Sequence, residues 1–357
     1  MKLVSESLSI DDYNQAVEVF YERGWTDGLP VVLPTRNQVE AMIAYSGRDP
    51  QESVGPIPPK GSEGTVEKLA INAVMGGCRP EHFPVVLAAM EALVDPAHNL
   101  NGVSQTTHMC VSLVIVNGPI ARELGFNSRA GVFGNGYRSN AAVGRAVRLA
   151  LWNLGGAVPG ETDMATLSHP GEYAFCIAEE EEDNPWPPLH VERGCPPGSD
   201  AVTVFACEGP HSVWCYGRPE EMLHVLADSM CSLGNNNMHA MGQTLVTLNP
   251  INAEEFAKRG WSKQDVRLYL WEHARRPIGD VSACGAATDQ VKVTEREAGR
   301  YPLRYVQNPT TRVPVTSKPE DIHIIVAGGR SYFAAVLPGW GGMGGFAVTR
   351  QIKRPNR

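Results

Sequence analysis

No run of apolar residues in this chain approaches the roughly 18 needed to cross a bilayer. The opening stretch, MKLVSESLSIDDYNQ, lacks the apolar core of a secretory signal. A cytoplasmic protein without a membrane role is therefore expected. Basic charge is also scarce. The chain has 31 Lys and Arg against 39 Asp and Glu, a net charge of −8. That balance argues against nucleic acid or an anionic membrane as partner, because both attract basic surfaces. The eight cysteines are scattered and contain no CxxC pair, so free thiols are expected rather than a disulfide framework. HxH and HExxH spacings are missing, as are the dinucleotide and P-loop fingerprints. The chain thus offers no ready-made metal or nucleotide site.

What remains is an ordinary globular composition, 43% hydrophobic and 20% charged, with 36 Gly and 27 Pro that imply many tight turns. At 357 residues there is enough chain for two cores. Amphipathic helices are expected over 10–23 and from Thr35 to Gly47, and further helices over 65–75 and after Arg79. Short strands are expected at 31–33 and in VSLVIVN, EYAFCIAE, AVTVFAC, QTLVTLN and DIHIIVAGG. Strands alternating with helices give an α/β fold with a mainly parallel or mixed sheet. Residues 48–63 read as a loop, and the EEEEDNPWPP stretch as a solvated acidic turn.

Two regions share an order of features. The first runs Arg79-Pro80-Glu81, helix, polar loop ending at His108, strand LVIV and Asn117. The second runs Arg218-Pro219-Glu220, helix, polar loop ending at His239, strand LVTL and Asn249. Aligned on the asparagines, Leu113, Val114, Ala121 and Glu123 match Leu245, Val246, Ala253 and Glu255. An internal duplication follows, with a turn-rich segment over 1–64, one α/β half over 65–200 and a second over 201–357. The second half ends in a glycine-rich stretch that is either a mobile lid or a close-packing turn.

Each polar tract, SQTTHMC and NNNMHAM, runs straight into a buried strand, so His108 and His239 are expected to converge between the halves. Two imidazoles with amide and hydroxyl neighbours suit acid–base chemistry, with Cys110 beside them. Thr107, Asn235, Asn236 and Asn237 would position a substrate. The plainer alternative is that the asparagines make turns and each histidine caps a strand end. In GNGYRSNAAVGRAVRL, Asn140 at a helix start and Arg145 would hold a small anion, or the stretch is simply a turn and cap. CEGPHSVWCYG puts Cys207, Glu208, His211 and Cys215 at a strand end, where structural thiols are the simpler reading.

The stretches GWTDGLPVV, INAVMGGCRPEHFPVVLAAMEAL, VNGPIARELG, GRAVRL…NLGGAVPGETDMAT and PWPPLHVERG resemble a widespread bacterial family over most of the chain. Some of its members are associated with short UGSC-type (seleno)proteins, which are likened to component B of the glycine, sarcosine and betaine reductases. The resemblance implies redox or C–S/C–N bond chemistry on a small substrate, with a thiol- or selenol-bearing protein partner. This chain has no selenocysteine, so Cys78, Cys110 and Cys284 would act singly or with that partner. The expectation is therefore an enzyme acting on a small polar or anionic metabolite, lyase-like or redox, as a homodimer and with no cofactor specified. Two alternatives stand beside it: a non-catalytic substrate-binding or scaffold subunit, and a metalloenzyme with His and Cys ligands.

Overall fold

The structure, a computed structural model, describes residues 1–283, 308 and 310–354. Cys284 lies outside the described residues. In chain order the strands are β1 (Ser53–Ile57), β2 (Ser62–Thr65), β3 (Val111–Asn117), β4 (Cys176–Ala178), β5 (Ala201–Cys207) and β6 (His211–Trp214). They continue with β7 (Thr244–Leu248), β8 (Arg275–Pro277), β9 (Arg312–Pro314), β10 (Ile322–Val326), β11 (Phe333–Pro338) and β12 (Val348–Gln351). Two four-stranded sheets dominate, ordered β12-β5-β3-β4 and β10-β7-β11-β6. The fold is α/β, and both sheets are mixed.

Strand alternation explains the layering. Successive side chains point to opposite faces. Val114, Val116, Val202 and Val204 face outward onto helices Val66–Met75, Phe83–Leu93 and Arg138–Ala150. Their neighbours Leu113, Ile115 and Phe205 face inward and meet Leu245, Ile325 and Leu337 of the second sheet. On the far side Val246, Leu248 and Ile324 lie under Pro219–Met230, Pro250–Lys258 and Lys263–His273. The result is helix, sheet, sheet, helix. Both faces of the central strands are buried and mostly apolar because both are covered. Each fully buried Leu, Ile or Phe contributes about 1.5–3 kcal/mol through removal from water.

The two sheets have one topology. In the first, β3 runs parallel to β4 and antiparallel to β5, which pairs antiparallel with β12. In the second, β7 runs parallel to β10 and antiparallel to β11, which pairs antiparallel with β6. After β5 the chain leaves the first sheet for the second, and after β11 it makes the reverse crossing. The crossings meet at a bridge between Cys207 and Gly339. A boundary at residue 200 therefore divides a sheet, because β5 and β12 both belong with β3.

Several local expectations change. Residues 31–33 form no strand, and the expected loop at 48–63 contains the β1–β2 hairpin. The helix from Tyr13 starts at Asp12, whose carboxylate accepts from Gln15 N at 2.8 Å. The glycine-rich stretch is a close-packing turn: a Cβ on Gly339 would lie 2.3 Å from Gln243 O, and one on Gly102 would lie 2.4 Å from the Trp340 ring.

Candidate active site

The first site residues come from the approach to β3. Helix Leu100–Gln105 ends at Thr106. The Thr106 hydroxyl accepts from His108 N at 3.2 Å and from the Trp340 indole at 3.0 Å. This turn aims His108 at the end of the antiparallel neighbour β5, where Glu208 follows Cys207. Glu208 is fixed by its own N–H, which donates to Pro338 O at 2.9 Å. His108 Nε2 and Glu208 Oε1 lie 2.8 Å apart. A carboxylate accepts, so the tautomer that fits this contact carries its proton on Nε2. Nδ1 is left with its lone pair, buried and without a hydrogen-bond partner. A ring held by a carboxylate with its other nitrogen free is the arrangement a general base needs.

Around this pair lie Ser104, Cys110, Arg148, Asp163 and Glu172. Arg148 comes from helix Arg138–Ala150, forms an ion pair with the Glu172 carboxylate, and donates from Nε to Glu172 O at 3.2 Å. Burial pulls the Arg148 guanidinium down to about 10, against the pull of the Asp163 charge. Burial also pushes the Cys110 thiol up to about 12, so at neutral pH it keeps its proton. His169 flanks the group. Its Nδ1 accepts from Gly171 N at 3.1 Å, its Nε2 lies 3.4 Å from Cys207 O, and burial lowers its pKa. The void among these side chains measures only about 10 Å³, about the space one water needs. In this arrangement Arg148 is paired with Glu172 and His108 with Glu208, and the void is closed to anything larger than a water.

His108 and Cys110 line the same void; the remaining site candidates do not. His239 does not converge with His108, since no residue lining the His108 void comes from the approach to β7. The reason is register. His108 precedes Asn117 by nine residues and His239 precedes Asn249 by ten, so Ala240 stands where His108 does. His239 Nε2 instead meets Leu233 O at 2.9 Å. Asn235 caps a turn through Met230 O and Asn237 N, and Asn236 donates to Gly339 O and Trp340 O. Asn237 donates to Gln243 O at 2.8 Å and to the Thr244 hydroxyl. The asparagine run ties backbone, which answers why four polar side chains precede a buried strand. Thr107 is exposed and bonds through its carbonyl to Thr166 N.

Asn140 is buried, with its amide spent on Asn127 and Cys176 O. Arg145 forms a two-point pair with Asp27 at 2.8 and 2.9 Å, and also donates to Leu29 O. It lines a separate, open groove of about 510 Å³ with Tyr13, Val31 and Met75. Though larger, that groove has no charged lining group other than this already paired arginine, which leaves the smaller void as the stronger candidate. Glu208 was within sight in the sequence, but Arg148, Asp163, Glu172 and His169 were not. Arg148 follows Arg145 by less than a helical turn, and nothing in the pattern tells the two apart.

The acidic run is also not a solvated turn. Glu179 and Glu180 are each 3% exposed. Glu179 accepts from Asn117 Nδ2 at 2.8 Å, Leu189 N at 2.8 Å and Asn184 Nδ2 at 3.2 Å; Glu180 pairs with Arg129 and Ser128. Burial raises the Glu179 pKa, opposed by the charge of Lys263.

Among the described residues no group of three or more His, Cys, Asp or Glu is arranged to hold a metal. No described helix is long and apolar enough to cross a membrane. A scan against protein-family models finds no match to this chain, and a search of curated proteins finds none either.

Proposed function

We propose that this chain is an enzyme acting on a small polar or anionic metabolite at the His108 void. His108 takes a proton from the substrate at Nδ1 and later returns it. Glu208 holds the ring and stabilises the imidazolium that forms. Arg148 offsets substrate charge, and Cys110 and Ser104 offer neutral donors. Cleavage or rearrangement by proton transfer fits these groups. If the family resemblance holds, a redox variant would draw its reactive thiol or selenol from a partner protein, because Cys110 is a poor thiolate. The carrying observation is the 2.8 Å His108–Glu208 contact beside an unpartnered, buried Nδ1. The test is a turnover screen of small carboxylic, amino and thioether acids, comparing the wild-type chain with His108→Gln. Equal turnover by both on every active compound would sink the reading.

A second reading is a scaffold or substrate-presenting subunit. It is favoured by four exposed aromatics beside edge strand β6, the pairs Trp214–Phe333 and Tyr216–Tyr332, with ring centroids 5.2 and 4.6 Å apart. It predicts a stable complex with a second protein, or a homodimer through this edge, and ligand binding without turnover. The shared topology of the two sheets also supports reading the chain as an internal duplication.

A further inference from the structure

The Arg148–Glu172 pair names the substrate class. It rests on reading the His108 void as the reaction site, and the experiment below separates the two. Arg148 is a largely enclosed guanidinium, its side chain 14% exposed, and among the described residues its paired carboxylate in the void is that of Glu172. Guanidinium groups at such sites bind carboxylates in a planar, two-point fashion. Glu172 is not fixed by the sheet or by a long helix. It closes the single turn Pro170–Glu172, which His169 begins. Directly before that turn stands Ser168, at φ 56° and with its buried hydroxyl unpartnered. A non-glycine residue in the left-handed region is unfavourable. The preceding stretch is attached lightly. Thr166 N bonds to Thr107 O at 2.9 Å, while Met164 and Leu167 stand out to solvent at 50% and 81% exposure. Glu172 is thus a carboxylate on a short turn, with its backbone carbonyl held by Arg148 Nε, placed against the guanidinium that lies beside the candidate base among the described residues.

We propose that Glu172 holds the place of a substrate carboxylate: a small carboxylic acid displaces it from Arg148 and thereby lies beside His108. Exchange of one carboxylate for another conserves charge in the void, so entry does not strand the buried guanidinium. The departing Glu172 side chain also makes the room that the closed void lacks. A small carboxylate bound at Arg148 presents the groups next to its carboxyl to His108 Nδ1. The substrate class is therefore a short-chain acid with its reacting position near the carboxyl, not a neutral sugar or an amine.

The test is calorimetric titration of the full chain with malonate and with acetate, using malonamide and acetamide as neutral controls. Glu172→Gln removes the competing charge and is expected to tighten malonate binding at least tenfold. The double variant Arg148→Gln/Glu172→Gln removes the paired charges together, leaving only the Asp163 carboxylate without its neighbouring cation, and is expected to lose malonate binding while still unfolding in one cooperative transition. His108→Gln is expected to bind malonate within about threefold of wild type. Three results would overturn the proposal: no tightening in Glu172→Gln, undiminished binding in a folded double variant, or amides binding as well as acids. Malonate bound through Arg148 with no His108-dependent turnover of any acid would keep this proposal and discard the catalytic one. The reverse outcome would discard only this one.

Discussion

The approaches to β3 and β7 stand at matched places in two sheets of one topology, yet they are used differently. At the start of β3 the chain gathers ionisable groups: His108 against Glu208, and Arg148 against Glu172. At the start of β7 the same turn is closed by neutral amides, with Asn235, Asn236 and Asn237 spent on carbonyls and His239 on Leu233 O. The far ends differ in the same sense. Asn117 donates to Glu179 and Glu181, whereas Asn249 caps the next helix through Asn252 and reaches Phe333 O. One strand arrangement carries charge in one sheet and only backbone closure in the other. Topology supplies the place, and side-chain identity at a few positions decides what stands there.

The largest effect expected from this contrast is on turnover. With any acid found active in the screen, His108→Gln should lower kcat/KM by about 10²–10⁴-fold, the usual worth of a general base. His239→Gln should change it less than about threefold. A comparable loss from His239 would restore the symmetric site that the one-residue offset argues against. Next comes the far end of each central strand. Glu179→Gln presents an amide N–H₂ to donors now held by a buried carboxylate, at a cost of about 3 kcal/mol in urea unfolding. Asn249→Ala loses a cap worth about 1 kcal/mol. Equal costs would mean that burial of charge is not what separates the two ends.

How much of this was legible follows from the range of each signal. The α/β class and the central strands are local properties: LVIV and LVTL announce strands covered on both faces, and Asn117 and Asn249 mark where they stop. The exchange of β6 and β12 between sheets was not legible, because a four-residue edge strand has no pattern of its own and its partner is fixed by the distant bridge at Cys207 and Gly339. The site was half legible for the same reason. His108 and Cys110 share a segment, but Glu208, Arg148 and Glu172 arrive from three other parts of the chain. The burial of Glu179 and Glu180 ran against composition, since a run of acids reads as solvated unless its partners Asn117, Lys263 and Arg129 are known to lie opposite.

Buried histidines extend the comparison to pH. His98, over the first sheet, bonds Ser112 Oγ at 2.9 Å and lies 3.2 Å from Phe346 O, and burial lowers its pKa to about 4. His323, inside β10 of the second sheet, is lowered by burial to about 3. Each is neutral when folded but takes up a proton more readily when unfolded. Their contribution to stability is therefore complete above about pH 6.5 and is lost as pH falls toward the folded value. The slope is about 1.4 kcal/mol per pH unit for each group. His98→Gln should flatten urea-derived stability between pH 6 and 4.5 by about that slope. His323→Gln should do the same and also remove the steepness persisting to the lower folded pKa. An unchanged slope in both would mean that neither ring is kept neutral by burial.

The smallest effect lies where the two approaches touch. Asn236, from the approach to β7, donates to Gly339 O at 3.0 Å and Trp340 O at 2.8 Å, while Thr106, from the approach to β3, accepts from the Trp340 indole. The two side chains hold opposite sides of one residue, one through its backbone and one through its ring. Each truncation to Ala should cost about 1 kcal/mol as a lost hydrogen bond. If Trp340 transmits position between the sheets, losing one tie makes the other less useful. The double variant should then cost less than the sum by about 0.5 kcal/mol or more. Strict additivity in urea unfolding would mean that the approaches are independent, and that the Trp340 turn rests on the close packing of Gly102 and Gly339 instead.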